Sequence, residues 1–228
     1  MRTPYWILGL VVLGGCAQLP NPNDLAAIDS ADRVDSAFEI HQSVVAKLEY
    51  KVVQSEISDA ERTKLLRDEC ADLLTTIDEK AVPPASAWKY ADMLRVVEDW
   101  PKAEKFLAEA VKVADTPGRK ITDTIRLAHA MAKNGKVEES VAAIQPALQA
   151  SPEDGPLVLP AVLYEYVPAA KGQGVDKDLA DILDSAIECQ RNSKVDVKTD
   201  EGRAFMMASR YHIRKAEAEA ATLRLNTK

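Results

Sequence analysis

The chain has 228 residues, and its 29 lysines and arginines against 36 aspartates and glutamates give a formal net charge of −7. Because nucleic acids and anionic lipid surfaces attract basic proteins, this balance argues against nucleic-acid binding and against electrostatic adhesion to a membrane. Hydrophobic residues make up 46% of the chain and aromatic residues only 5%, so we expect small side chains to fill the core. No long β-branched alternation predicts a strand, and we expect an all-α fold.

Residues 1–15 have the layout of an export signal. Arg2 supplies a positive charge, and the apolar run from Trp6 to Leu13 is shorter than the roughly 20 residues that a membrane-spanning helix needs. Two glycines then precede Cys16. This order resembles the lipobox of bacterial lipoproteins, in which the cysteine thiol takes a diacylglycerol and the preceding peptide is removed. The alternative is an ordinary signal peptide in which Cys16 is incidental.

The lipobox resemblance implies a membrane anchor at Cys16, because several acyl chains on one residue hold a protein stably on a bilayer. Ala17 stands where an aspartate would indicate retention in the inner membrane. The resemblance therefore implies a lipoprotein of the outer membrane that faces the periplasm. Residues 16–28, which contain Pro20 and Pro22, are expected to form an extended tether between the lipid and the folded part.

Residues 29–83 predict two lead-in helices. The first follows from apolar residues at alternating spacings of three and four, namely Val34, Phe38, His41, Val45, Leu48 and Val52. Ser58 and Glu61 form a capping-box pattern for the second helix. Its predicted inner face consists of Leu66, Cys70, Leu73 and Ile77. Two prolines after Val82 then break the helical pattern.

Residues 84–191 predict consecutive helical hairpins. The two helices of the first hairpin are separated at Asp99, and this hairpin ends in the segment from Asp115 to Gly118. In the second hairpin, the turn between the helices contains Asn134 and Gly135, and the hairpin ends at Ser151 and Pro152. Pro146 lies inside that hairpin's second helix, where a proline kinks or breaks the helix. A third hairpin pairs residues 156–167 with 175–191 through a turn at residues 168–174. Residues 192–228 predict a C-terminal capping helix with an inner face of Phe205, Ile213, Ala216, Ala220 and Leu223.

The second helix of each hairpin carries a family resemblance. The pattern is a small residue, then an apolar residue four positions later, then a small residue three positions after that. It occurs twice, as Ala103, Leu107, Ala110 and as Ser140, Ile144, Ala147. This spacing resembles the tetratricopeptide repeat, a helix–turn–helix unit of about 34 residues. The first helices depart from the family, since alanine, threonine, leucine or methionine stands at its tryptophan, glycine and tyrosine positions. The resemblance implies a short right-handed array of antiparallel helical hairpins with capping helices. An unrelated array of helical hairpins is the alternative.

The sequence contains no pattern of residues that specifies a reaction, a metal or a cofactor, so we expect no catalysis and no bound cofactor. The histidines His41, His129 and His212 lie far apart in the chain. His41 falls on an apolar stripe, which favours a hydrogen-bonded core or interface histidine over a ligand. Cys70 and Cys189 are expected to be free thiols, with a disulfide between them as the alternative.

The repeat resemblance implies that first helices line one concave face, and that a partner binds there. The residues predicted to face the partner are Trp88, Asp92, Arg95, His129, Lys133 and Tyr164. Ile125 also falls at a ligand-facing position of the repeat. Trp88 and Tyr164 could instead pack between helices. The predicted function is a non-catalytic scaffold that binds an envelope protein or peptide. The alternative is a ligand-binding protein or enzyme that uses a cleft between the repeats and the capping helices.

Overall fold

The computed structural model describes residues 24–226, and all regular secondary structure in that range is helical. This confirms the prediction of an all-α fold. The predicted export signal, Cys16 and most of the tether lie outside the described residues. The prediction that the tether stays extended to residue 28 is wrong, because Leu25–Ala27 forms a 3₁₀ turn and Leu25 is buried in the core. Within residues 24–226, no helix combines the length and the apolar character that crossing a bilayer requires.

Ten α-helices follow one another, with short 3₁₀ turns between some of them. They are α1 (Arg33–Val53), α2 (Asp59–Thr75), α3 (Ala87–Val96), α4 (Trp100–Val113), α5 (Pro117–Lys133), α6 (Val137–Ile144), α7 (Val158–Ala161), α8 (Val167–Ala170), α9 (Asp176–Arg191) and α10 (Asp200–Asn226) within the described chain. A π-helical turn, Val162–Tyr166, connects α7 to α8. Residues 158–170 therefore form one continuous helical segment with a change of hydrogen-bond register in its middle.

Helices α1 and α2 pack against each other, and both pack against α3. The N-terminus of α2 follows the predicted capping chemistry, because the Ser58 hydroxyl accepts a hydrogen bond from the Glu61 backbone N–H at 3.2 Å. On the predicted stripe of α1, Val34, His41 and Leu48 are buried. The stripe is thus the inner face of α1, as the spacing predicts.

From α3 onward, each helix packs mainly on its chain neighbours. Helix α4 packs against α3 and α5, α5 packs against α6 and the segment 158–170, and α10 packs against α9. The repeat-like positions all lie at these contacts with at most 1% of their surface exposed, and they are Ala103, Leu107, Ala110, Ser140, Ile144 and Ala147. Small side chains at these points let helix backbones approach closely.

Turn chemistry explains where α5 ends. Gly135 has φ of 80°, a left-handed conformation that costs glycine little. The Lys136 backbone N–H reaches back to the Met131 carbonyl at 2.9 Å. This bond is characteristic of a Schellman C-cap, and it fixes the reversal between α5 and α6.

Two prolines have different effects on the helices that contain them. Helix α6 ends at Ile144 and continues as a 3₁₀ turn, Gln145–Gln149, so Pro146 breaks the α-helix as predicted. The prediction that a turn begins at Pro168 is wrong, because the helical segment runs on to Ala170. The π turn shifts the hydrogen-bond register just before Pro168, which then occupies the first turn of α8, where a missing N–H is tolerated.

The buried residues form two clusters in the described chain. One joins α1 and α2 to α3 and α4, and the other joins α5 and the following helices to α10. Ala130 belongs to the first cluster while Ile125 and Ala128 belong to the second. Helix α5 therefore connects the two clusters and is buried on most sides.

Candidate functional site

Trp88, the aromatic residue predicted to face a partner, lies on α3 and is partly buried. Its ring meets the Phe38 ring of α1 edge to face, with centroids 5.0 Å apart. The guanidinium carbon of Arg119, from α5, lies 4.4 Å from the centroid of the Trp88 ring, which places a cation against the negative face of the indole. Trp88 thus packs between α1 and α5 and keeps part of its surface open to solvent.

Asp92 and Arg95, one turn further along α3, are joined by ion pairs to two other elements. Arg95 pairs with Asp92 at 2.8 Å and with Glu165 of the π turn at 2.5 Å. Arg126 of α5 reaches the other oxygen of Asp92 at 3.4 Å. These side chains are mostly shielded from solvent, so their ion pairs hold α3, α5 and the segment 158–170 in fixed relative positions.

Asp123 is a carboxylate in the interior of the same network, with no exposed surface. The Nε of Arg119 donates to it at 3.0 Å, and Arg126 lies 4.0 Å from its other oxygen, Oδ1. That oxygen has no hydrogen-bond partner among the described residues. Burial raises the pKa of Asp123 above its usual value, and the hydrogen bond from Arg119 opposes that rise.

Together these residues define what we call the first-helix face. It consists of Trp88, Asp92, Arg95, Arg119, Asp123, Arg126 and Glu165. Its three guanidinium groups balance its three carboxylates. The charges therefore stabilise one another and leave the face without a strong net charge of its own.

Two further predicted residues, His129 and Lys133, lie at the C-terminal end of α5. Lys133 is exposed, whereas His129 is buried and meets the Trp100 ring edge to face at 5.2 Å. Burial, and then the charges of Arg95 and Lys133, lower the pKa of His129 to about 3. His129 is therefore a neutral interior residue in this structure, and Lys133 is the member of the pair that a partner could reach.

Tyr164, the last predicted residue, lies on the π turn with 41% of its surface exposed. Its ring meets His212 of α10 edge to face at 5.5 Å, and the Lys215 ammonium lies 4.5 Å from its centroid. Its sequence neighbour Glu165 pairs with Arg95. Tyr164 thus lies beside the first-helix face, at the point where the segment 158–170 meets α10.

The sequence interpretation missed the contribution of Arg119, Asp123, Arg126 and Glu165. A signal for the first three is present, because Arg119 and Asp123 are four apart and Asp123 and Arg126 are three apart, which are ion-pair spacings on a helix. The same interpretation assigned Ile125 to the partner-facing side, but Ile125 is buried. The reason is that α5 is covered on several sides and presents only a narrow charged strip.

The described residues contain one group of possible metal ligands, formed by His41, Glu69 and Cys70. The Nδ1 atom of His41 lies 2.9 Å from an oxygen of Glu69 and 3.2 Å from the sulfur of Cys70. Burial, with the nearby carboxylates of Glu69 and Asp92, raises the pKa of the Cys70 thiol to about 12. Cys70 and Cys189 are both free thiols, as predicted.

Two concave regions bear on the ligand-binding alternative. A cavity of about 420 Å³ lies between α5 and the 3₁₀ turn Gln145–Gln149, with mostly apolar walls and with Lys120 and Asp154 among its lining. A smaller one of about 260 Å³ lies between the segment 158–170 and α10. In the smaller cavity Lys171 is already paired with Glu219 at 2.6 Å, so its polar groups are engaged with each other.

Comparison with protein-family models finds no matching family, and comparisons with curated proteins and with solved structures find no match either.

Proposed function

We propose that this protein is a lipid-anchored bacterial envelope protein that acts as a non-catalytic scaffold for protein–protein interaction. Its helices form a short right-handed array of tetratricopeptide-like hairpins, with α1, α2 and α10 as capping elements. The burial of Ala103, Leu107 and Ala110 at helix contacts supports this arrangement, because the family uses small residues where neighbouring helices cross.

The observation that carries the proposal is the ion-pair network across α3, α5 and the segment 158–170. In a tetratricopeptide-like array these are the first helices of three successive hairpins. Arg95 bonds to Asp92 and Glu165, and Arg126 bonds to Asp92. Side-by-side first helices present one continuous surface, and such surfaces bind a helix or an extended peptide from another protein.

The anchoring part of the proposal depends on Cys16, which follows an export signal in lipobox order. A diacylglycerol on Cys16 would keep the array at the membrane, and Ala17 favours the outer membrane with the array in the periplasm. A scaffold held at a surface meets its partner at a raised effective concentration. The nine residues from Cys16 to Asp24 precede Leu25, which is buried in the core, and they could let the array stand off the bilayer by up to about 30 Å.

The first-helix face suggests which residues a partner touches. Trp88 is a partly exposed member of the face, and Lys133 and Tyr164 are exposed near its ends. Aromatic residues dominate many protein interfaces because they bury a large area with little loss of side-chain entropy. Arg95 and Asp92 are engaged in internal ion pairs, so their contribution to binding is to hold the surface in shape.

The ligand-binding alternative has a specific observation in its favour, the cavity of about 420 Å³ with mostly apolar walls beside Ile121 and Thr124. Its volume is in the range of small-molecule sites. It lies between α5 and the 3₁₀ turn after α6, away from the first-helix face. The two proposals therefore involve different residues and can be tested separately.

The experiment that tests the scaffold proposal is affinity capture from detergent-solubilised envelopes with surface variants. We expect Lys133→Ala combined with Tyr164→Ala to reduce recovery of a protein partner at least tenfold, the effect of losing about 1.4 kcal/mol of binding energy. Lys112→Ala combined with Tyr211→Ala is the matched control, because it removes an exposed lysine and an exposed tyrosine elsewhere. Equal recovery with both double variants would contradict the proposal.

A further inference from the structure

Three chemically different donors meet at the contact between α1 and α2. His41 comes from α1, and Glu69 and Cys70 are consecutive residues of α2. The imidazole nitrogen Nδ1 is 2.9 Å from Glu69 Oε2 and 3.2 Å from Cys70 Sγ. Nothing in the packing of an apolar helix pair requires an imidazole, a carboxylate and a thiol at one point.

The geometry does not suit nucleophilic catalysis. In a cysteine–histidine–carboxylate triad the thiol and the carboxylate bond to different nitrogens of the imidazole, so that the ring can relay a proton. Here the Cys70 sulfur and the Glu69 oxygen both approach Nδ1, while Nε2 is 3.9 Å from the sulfur. Cys70 also has no exposed surface, so no substrate can reach the thiol.

The same convergence on one side of the ring suits a metal ion. In a tetrahedral zinc site with bonds of about 2.0–2.3 Å, a nitrogen and an oxygen ligand lie about 3.4 Å apart, and a nitrogen and a sulfur about 3.6 Å apart. The observed separations of 2.9 and 3.2 Å become these values if each donor moves by a few tenths of an ångström. Rotation of the three side chains supplies such movements without a shift of either helix.

Charge at the cluster also favours a cation. Glu69 and Asp92 both act on the Cys70 thiol as negative charges. The second oxygen of Glu69, Oε1, is buried without a hydrogen-bond partner among the described residues. A thiolate and a carboxylate together cancel the charge of a divalent ion, so that the occupied site carries no net charge into the interior.

We propose that His41 Nδ1, the Glu69 carboxylate and the Cys70 thiolate bind one zinc ion. Sulfur and imidazole ligands select zinc or another borderline metal over magnesium and calcium, which prefer oxygen. On binding, the Cys70 S–H bond breaks, a sulfur–zinc bond forms and the proton passes to solvent. Glu69 is partly exposed, with 20% of its side chain accessible, so the ion enters on that side and a water molecule completes the four ligands.

Such a site would be structural. It would join α1 to α2 directly beneath α3, and thereby fix the lead-in helices against the face that Asp92 and Trp88 belong to. This inference does not depend on the scaffold proposal, because it concerns ligands on α1 and α2 only.

The test uses the full-length protein in detergent, without a histidine tag, titrated with Co(II) as a spectroscopic substitute for zinc. We expect one equivalent to give the near-ultraviolet absorption of a cobalt–thiolate bond, and zinc to abolish it by displacement. Cys70→Ser should remove this absorption, whereas the matched controls Cys16→Ser and Cys189→Ser should keep it. Glu69→Gln should weaken binding at least about tenfold with little change in shape.

A second readout covers the possibility that Cys70→Ser fails to fold. Zinc at a concentration close to the wild-type dissociation constant should raise the melting temperature of the wild-type chain, and should raise that of Glu69→Gln much less, because the variant binds zinc more weakly. The absence of a cobalt–thiolate absorption in the wild-type protein would overturn the proposal. An absorption that survives in Cys70→Ser, or metal binding by Glu69→Gln that is as tight as that of the wild type, would overturn it as well.

Discussion

The environment of His129 predicts a specific loss of stability in mild acid. Burial and two neighbouring cations lower its pKa from 6.5 to about 3 in the folded protein. A group with a lowered folded pKa contributes stability above its unfolded pKa, and that stability is lost as the pH falls from about 6.5 towards about 3. At pH 5 the unfolded chain protonates this histidine while the folded chain does not. Because pH 5 lies about 1.5 units below the unfolded pKa of 6.5, the free energy of unfolding is lower at pH 5 by about 2 kcal/mol.

Urea denaturation of the chain from residue 17, which contains every described residue, measures this effect at pH 7.5 and pH 5.0. His129→Phe keeps an aromatic ring against Trp100 but cannot take up a proton, so its loss of stability between the two pH values should be smaller by about 2 kcal/mol than that of the wild type. His212→Phe is the matched control, because His212 also makes ring contacts but is only partly buried. An unchanged pH dependence in His129→Phe would refute the interior, neutral assignment of His129.

Two other predictions concern packing and anchoring. Ala110 is fully buried at the contact of α4 with its neighbours, so Ala110→Leu should overpack the core and lower the free energy of unfolding by about 1–3 kcal/mol. The control Lys112→Leu, on the exposed side of the same helix, should change it by less than about 0.5 kcal/mol. Denaturant melts that reverse this order would contradict the packing. Cys16→Ser should leave the protein without lipid and outside the membrane fraction, and a wild-type mature N-terminus that carries no lipid by mass spectrometry would contradict the anchoring proposal.

The sequence predicted the local structure correctly for features that depend on the residues of a single helix. The spacing of Ala103, Leu107 and Ala110 places the three residues on one side of α4 whatever the neighbouring helices are, and all three are buried. The capping pattern at Ser58 likewise depends on residues within one turn, and it forms as expected.

The sequence predicted less where several helices meet. Helix α5 packs on α4, α6 and the segment 158–170, and the sequence of one helix does not show which of its side chains several neighbours will cover. His129 and Ile125 are buried for this reason. Arg119 of α5 pairs with Asp123 of the same helix, but Arg126 also pairs with Asp92 of α3, which the sequence of α5 alone does not predict.

Two further features depend on hydrogen-bond register and on helix pairing, which a single sequence does not display. The π turn brings Glu165 to Arg95 and allows the helix to continue past Pro168. His41 and Cys70 both lie on predicted inner faces, so the sequence pattern is consistent with a contact between them. Glu69 lies beside the inner stripe of α2, and its approach to His41 requires the observed pairing of α1 with α2.

Site-specific photo-crosslinking in intact envelopes tests the central claim, that a protein partner binds the first-helix face. A photoreactive amino acid is placed at Lys133 or Tyr164, and for control at Tyr50 or Met207, which are exposed on α1 and α10. We expect positions 133 and 164, which lie near the ends of the face, to give a covalent adduct with the same partner, and the control positions to give none. Adducts at the control positions alone, or no adduct from either position 133 or position 164, would contradict the proposal.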